Sequence, residues 1–225
     1  MGEQPELVLK KEARQAAVDG RLEWFEQLPE DELSAFAHQK DEDQRSLFHI
    51  SIASGNLNLC RLLLSSNPSV ADQPDDSGWT PLMSACSCCH QELVRYLIEY
   101  AKCDIFRKNP QGRTCLFYAS SKDVKSQNPG GIVQILLEAA SSSSDPATFI
   151  GFVSAQDCTR ATALHRACAV GNAAAVMHIV RTVSTGTART LAGIRDSGGD
   201  TPLDIALTQG HDKCVQLLKE LTLDS

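Results

Sequence analysis

Apolar residues recur along the chain in short blocks rather than in strand-like alternation or one long run. The segments RSLFHISIASGN (45–56), WTPLMSACSCCH (79–90), RTCLFYASSKDV (113–124), ATALHRACAVGN (161–172) and DTPLDIALTQGH (200–211) superpose so that Ser46, Thr80, Thr114, Thr162 and Thr201 share one slot. Successive slots lie 34, 34, 48 and 39 residues apart. The two longer intervals therefore carry insertions into a unit of about 33 residues.

Each block predicts a pair of helices. The Ser or Thr hydroxyl caps a short first helix, and Pro81 and Pro202 fall at its first position, where no N–H is needed. Ala85, Ala119, Ala167 and Ala206, five positions after the slot, let neighbouring first helices approach. Gly55, Gly171 and Gly210 end that helix in a left-handed turn, and Cys89 takes the same position in another unit. A second helix follows, with stripes such as Leu59, Cys60, Leu63 and Leu93, Val94, Leu97 at helical spacing. A weaker unit in front, with Ala16, Ala17, Gly20, Trp24 and Phe25, fits the same offsets as an N-terminal cap. The pattern has the ankyrin T-P-L-H-x-A signature.

The expected architecture is all-α: a single ankyrin-repeat solenoid over 1–225, with paired antiparallel helices joined by hairpin loops. Six repeats are expected near 10–40, 41–74, 75–108, 109–140, 157–190 and 196–221, the first a degenerate cap. Flexible insertions are expected at 122–131, 139–156 and 182–194, on the strength of their Ser, Thr, Gly and Pro content.

In such a stack the residue before the capping slot, and those four, seven and eight beyond it, are expected on the exposed inner side. These are Arg45, Trp79, Arg113, Ala161 and Asp200 from the hairpins, Ile50, Ser84, Tyr118, Arg166 and Ile205 from the first helices, and Ser121 and Lys122 further round. A stripe of Trp, Tyr and Arg has the composition of a protein interface. Asp43, Asp75, Asp76 and Asp200 beside Arg45, Arg113 and Lys122 suggest charge-complementary docking. Asp43 and Asp75 are equally well read as turn formers, whereas Asp76 beside Trp79 favours contact.

Charge and composition narrow the partner. A formal net charge of −7 argues against nucleic acid, and no apolar run spans a membrane or forms a secretory leader. Nine cysteines, mostly within helical apolar patterns, suggest buried free thiols in a reducing compartment, cytoplasm and nucleus. Cys86, Cys88, Cys89 and His90 straddle one helix end rather than converging from two arms, so no metal is expected. His49 and His165 are expected to link neighbouring hairpins, and Glu30, Asp31 and Glu32 to form a solvated face near the turn begun by Pro29. No phosphate loop or catalytic constellation is present, so neither enzyme activity nor a cofactor is expected.

Beyond the generic repeat, DEDQRSLFHISIASGN (41–56), PDDSGWTPLMSAC (74–86), NPQGRTCLFYASSK (109–122) and CTRATALHRACAVGN (158–172) resemble the gankyrin family. The register matches over about 10–218, although the family's last repeat is missing and its His slot is Met83, Phe117 or Asp204 in three repeats. The resemblance implies an assembly chaperone of the proteasome regulatory particle, a monomer on its own, that grips the C-terminal domain of one AAA ATPase subunit. It further implies that Arg45 and Lys122 meet acidic residues of that domain, with Asp75, Asp76 and Trp79 in a neighbouring patch. A generic ankyrin adaptor, such as a kinase-inhibitor-like scaffold, and a metal or redox sensor are the alternative readings.

Overall fold

The computed structural model describes residues 5–41, 43–121 and 130–223. Lys122, and with it most of the insertion expected at 122–131, lies outside the described residues. Those described are helical apart from turns and one isolated bridge between Lys40 and Ser46. They gather into two compact units, divided between Asp104 and Ile105.

The first unit holds α1 (Pro5–Asp19), α2 (Leu22–Glu26), α3 (Glu30–His38), α4 (Leu47–Ala53), α5 (Leu57–Ser66), α6 (Pro81–Ser87) and α7 (Gln91–Glu99). Helices α1, α4 and α6 pack side by side, as do α3 and α5. The expected caps are present: Ser46 Oγ accepts from the His49 N–H and Thr80 Oγ1 from that of Met83, with Pro81 at the first helical position. Ser51 and Ala85 are fully buried, so the small slot does bring first helices together. The cap repeat departs from the pattern because its second helix is split in two at Gln27–Pro29. Glu30, Asp31 and Glu32 are exposed as expected, but on the first turn of α3, where carboxylates complement the helix dipole.

The second unit holds α8 (Cys115–Ser120), α9 (Gly131–Ser143), α10 (Pro146–Val153), α11 (Ala163–Ala169), α12 (Ala173–Thr182), α13 (Thr185–Ala192), α14 (Pro202–Gln209) and α15 (Asp212–Leu223). First helices α8, α11 and α14 form one layer, and second helices α9, α12 and α15 the other. Thr162 and Thr201 close capping boxes with His165 and Asp204, whereas the Thr114 side chain makes no cap bond.

The insertions expected as loops at 139–156 and 182–194 are largely helical. α9 runs on to Ser143, α10 starts at an Asp145 cap with Pro146 at its first position, and α13 starts at a Ser184 cap that accepts from the Thr187 N–H. Asp-Pro and Ser-x-x-Thr are helix starts as well as loop composition. Burial of Phe152, Val153, Ala188 and Leu191 then fixes the added helices.

Gly171 shows why the turn after a first helix demands glycine. Its φ is +70°, and a Cβ there would meet the His211 ring at 2.7 Å, since His211 Nε2 lies 3.3 Å from the Ala169 carbonyl. Cys89 adopts the same left-handed conformation at φ 59°, as its position implies.

Candidate protein-binding faces

One hairpin geometry recurs before each of the five Ser or Thr slots. An Asx residue five positions ahead of the Ser or Thr slot donates its N–H across the turn and accepts one back on its side chain. Asp41, Asp75, Asn109, Asp157 and Asp196 donate to the carbonyls of Arg45, Trp79, Arg113, Ala161 and Asp200 at 2.9–3.0 Å. Their Oδ1 atoms accept the N–H of the same five residues at 2.8–3.1 Å. The residue two before the slot is left-handed in each: Gln44, Gly78, Gly112, Arg160 and Gly199. Four of the five Asx residues went unread in the sequence pattern, although the constant spacing was visible there.

Adjacent hairpins are tied within each unit. In the first, the Asp76 N–H donates to the Asp43 carbonyl at 3.2 Å. In the second, Cys158 donates to Gln111 and Ser197 to Thr159, both at 2.8 Å. The expected histidine links are also present. His49 Nδ1 lies 3.2 Å from the Ser46 N–H and Nε2 3.3 Å from the Trp79 carbonyl. His165 repeats this between the Thr162 N–H and the Asp200 carbonyl, at 3.1 and 3.2 Å. An N–H pointing at Nδ1 and a carbonyl at Nε2 require the neutral Nε2–H tautomer. Burial lowers the pKa of both imidazoles in agreement with that geometry.

In the first unit, Arg45, Ile50, Asp75 and Trp79 line a cavity of about 680 Å³, together with Arg14, Val18, Asp41 and Cys88, which sequence reasoning did not single out for this surface. Arg45 is half exposed and pairs with Asp41 and Asp43, each at 3.0 Å. Burial alone would raise the Asp41 carboxyl, but the backbone N–H and guanidinium of Arg45 outweigh it and hold the pKa low. Asp75 spends its carboxylate on the hairpin, which is the turn-forming role. Asp76 is exposed.

In the second unit, the Arg113 and Arg166 guanidiniums lie 4.8 and 5.5 Å from the Phe117 ring centroid. Arg113 Nε also pairs with Asp157 at 3.1 Å, a carboxylate whose side chain is 1% exposed. Burial would raise that carboxyl, but the donors of Thr159, Arg113 and Ala161 lower it on balance. Arg166 and Asp200 are exposed. Tyr118 and Ala161 were expected on the exposed side, and the structure corrects both, at 8% and 7% exposure. The Tyr118 hydroxyl accepts from Asn109 Nδ2 at 2.8 Å and its ring meets Phe117 edge-on, which turns it inward. Lys122 lies outside the described residues.

Among the described residues, no group of three or more His, Cys, Asp or Glu could hold a metal ion. Cys60, Cys86, Cys103, Cys115, Cys168 and Cys214 are buried free thiols, and burial pushes Cys60 up to about 12.

Capped helix pairs joined by repeating hairpins define an ankyrin-type protein, and the family profile described as "Ankyrin repeats (3 copies)" matches residues 14–109, 48–148 and 124–224. The chain is 32% identical over 185 residues to "Probable 26S proteasome regulatory subunit p28" of Saccharomyces cerevisiae, covering 81% of this chain and 72% of that protein. It is 38% identical over 61 residues to "26S proteasome non-ATPase regulatory subunit 10" of Dictyostelium discoideum, covering 27% and 26% respectively. An "Ankyrin repeat-containing protein C6C3.08" of Schizosaccharomyces pombe is 31% identical over 44% of this chain and 42% of its own. The chain belongs to the ankyrin-repeat proteins and, within them, to the gankyrin family that includes yeast p28.

Proposed function

We propose that this protein is an assembly chaperone of the proteasome regulatory particle, working in cytoplasm and nucleus and binding the C-terminal domain of a base AAA ATPase subunit. The observation that carries this reading is the 32% identity with the yeast regulatory subunit across 81% of the chain. The hairpin-side residues suit the role: Arg45, Asp76, Arg166 and Asp200 are exposed, and Ile50 and Trp79 line a cavity where an apolar side chain fits. In the first unit, apolar anchors beside Arg45 and Asp75 favour a fast, oriented encounter with a partner of opposite pattern.

The test is capture of the purified ATPase C-terminal domain by the tagged protein, with wild type beside Arg45→Glu/Lys122→Glu. Capture by wild type and loss in the double variant support the reading. If neither binds, or both bind equally, the protein is an ankyrin adaptor with another partner or another face.

A further inference from the structure

A second surface of the first unit lies on the cap repeat, away from the residues assigned above. The unit's other second helices, α5 and α7, run unbroken, but here α2 stops at Glu26 and α3 begins at Glu30, with Pro29 as an N-cap that makes no side-chain bond. The break opens a cavity of about 230 Å³ beside α5. Buried Phe25 and Leu33 line it, half-buried Leu28 and Leu62 flank them, and exposed Glu26 and Glu30 stand among the lining residues.

The charge of the broken segment itself is one-sided. The segment 22–33 carries Glu23, Glu26, Glu30, Asp31 and Glu32 and no Lys or Arg. None of the five is held in an ion pair among the described residues. Glu30, Asp31 and Glu32 are accounted for by the dipole of α3. Glu26 is not, because a carboxylate at the C-terminal end of a helix is electrostatically misplaced.

We propose that this cavity is a docking site for a basic peptide segment, one apolar side chain filling the space between Leu28 and Leu62 while flanking Lys or Arg residues meet Glu26 and Glu30. Charge complementarity selects the occupant: a neutral or acidic apolar segment would bring its anchor beside Glu26 and Glu30 without offering either a cation. The site is independent of the ATPase-binding reading.

The probe is a fluorescein-labelled peptide Lys-Arg-Lys-Leu-Lys-Arg, with a Leu→Ser version as control, read by anisotropy at physiological ionic strength. The Leu probe is expected to bind at least about tenfold more tightly than the Ser probe, and Glu26→Lys/Glu30→Lys to remove most of that binding. Glu26→Lys alone, which relieves the misplaced charge and leaves the α3 cap untouched, is expected to weaken it several-fold. Exchanging two exposed carboxylates on α7, Glu92→Lys/Glu99→Lys, should change it less than about twofold. Equal binding of the two probes, or equal loss in the α7 variant, would overturn the site in favour of diffuse attraction to an acidic chain. A concentration-dependent dimer abolished by Leu28→Lys would overturn it in favour of a second copy as the occupant.

Discussion

Arg45 and Arg113 hold the same place in their repeats, immediately before the capping Ser or Thr, yet the structure uses them differently. Arg45, in the first unit, is half exposed, and among the described residues it pairs with carboxylates of its own hairpin, Asp41 and Asp43. Arg113, in the second unit, reaches into the next hairpin, where its Nε meets the nearly inaccessible carboxylate of Asp157 and its guanidinium covers Phe117. Register fixes where an ankyrin hairpin residue stands. Whether it is available to a partner depends on what the adjacent hairpin places beside it.

The largest expected effect follows from the buried side of that contrast. Asp157 accepts from the Thr159 N–H and hydroxyl, the Ala161 N–H and Arg113 Nε. Asp157→Ala removes all four at once and is expected to cost about 3–4 kcal/mol in urea unfolding. Asp41→Ala, on the pair whose arginine is half exposed, should cost no more than about 1–2 kcal/mol, because the two N–H groups it leaves belong to exposed residues, Asp43 and Arg45. Equal costs would break the contrast between the hairpins.

Asp157→Asn separates charge from shape, since Asn109 closes its own hairpin with an amide. The variant keeps the turn acceptor and loses the ion pair, for an expected cost of about 1–2 kcal/mol at pH 7. The native Asp157 pKa lies below the ordinary aspartate value of 3.8, so its contribution is fully present above that value and is lost as pH falls through the depressed native pKa. The gap between wild type and Asp157→Asn should therefore close on acidification below about pH 4. Before that, wild type should weaken as pH drops below 6.5. There His49 and His165, kept neutral by their bonds, would take a proton only when unfolded. Thermal melts across pH 3–8 test both windows.

How much of this was legible in the chain depends on the range of the interaction. Caps, small slots and left-handed turns are local, and the residues that make them were read directly: Ser46, Thr80, Thr162 and Thr201 cap, and Gly55, Gly171 and Gly210 turn. The Asp145 and Ser184 helix starts are equally local, but Ser, Thr and Pro composition weighed more heavily than cap spacing. The partner of Arg113 is another matter. Asp157 lies 44 residues away across an insertion, and although its place five before Thr162 is periodic, its pairing with Arg113 is not. Tyr118 turns inward for a different reason: its partner Asn109 is only nine residues away, in the hairpin of its own repeat, but a tyrosine hydroxyl reaching that amide is particular to this repeat and not part of the shared pattern.

A smaller effect probes the turns themselves. Gln44 and Arg160 occupy the left-handed position where the other three hairpins have glycine. Gln44→Gly and Arg160→Gly should each stabilise by about 0.5–1 kcal/mol, less any entropy the glycine adds to the unfolded chain. Because the strain is local, the two gains should match, in contrast to the unequal arginines beside them.

The smallest expected change in stability is at Arg45. The pair with Asp43 is exposed on both sides and contributes little in water, and the more sheltered Asp41 keeps its backbone bonds without the half-exposed guanidinium, so Arg45→Ala should shift unfolding by no more than about 0.5–1 kcal/mol. Arg113→Ala should cost about 2 kcal/mol, because it strips a buried carboxylate of its cation and uncovers Phe117. A loss of partner binding in Arg45→Ala could then be assigned to the surface itself. In Arg113→Ala it would first have to be corrected for the fraction unfolded. If Arg45→Ala proved as destabilising as Arg113→Ala, both arginines would be structural, and the recognition face of the first unit would rest on Ile50 and Trp79 instead.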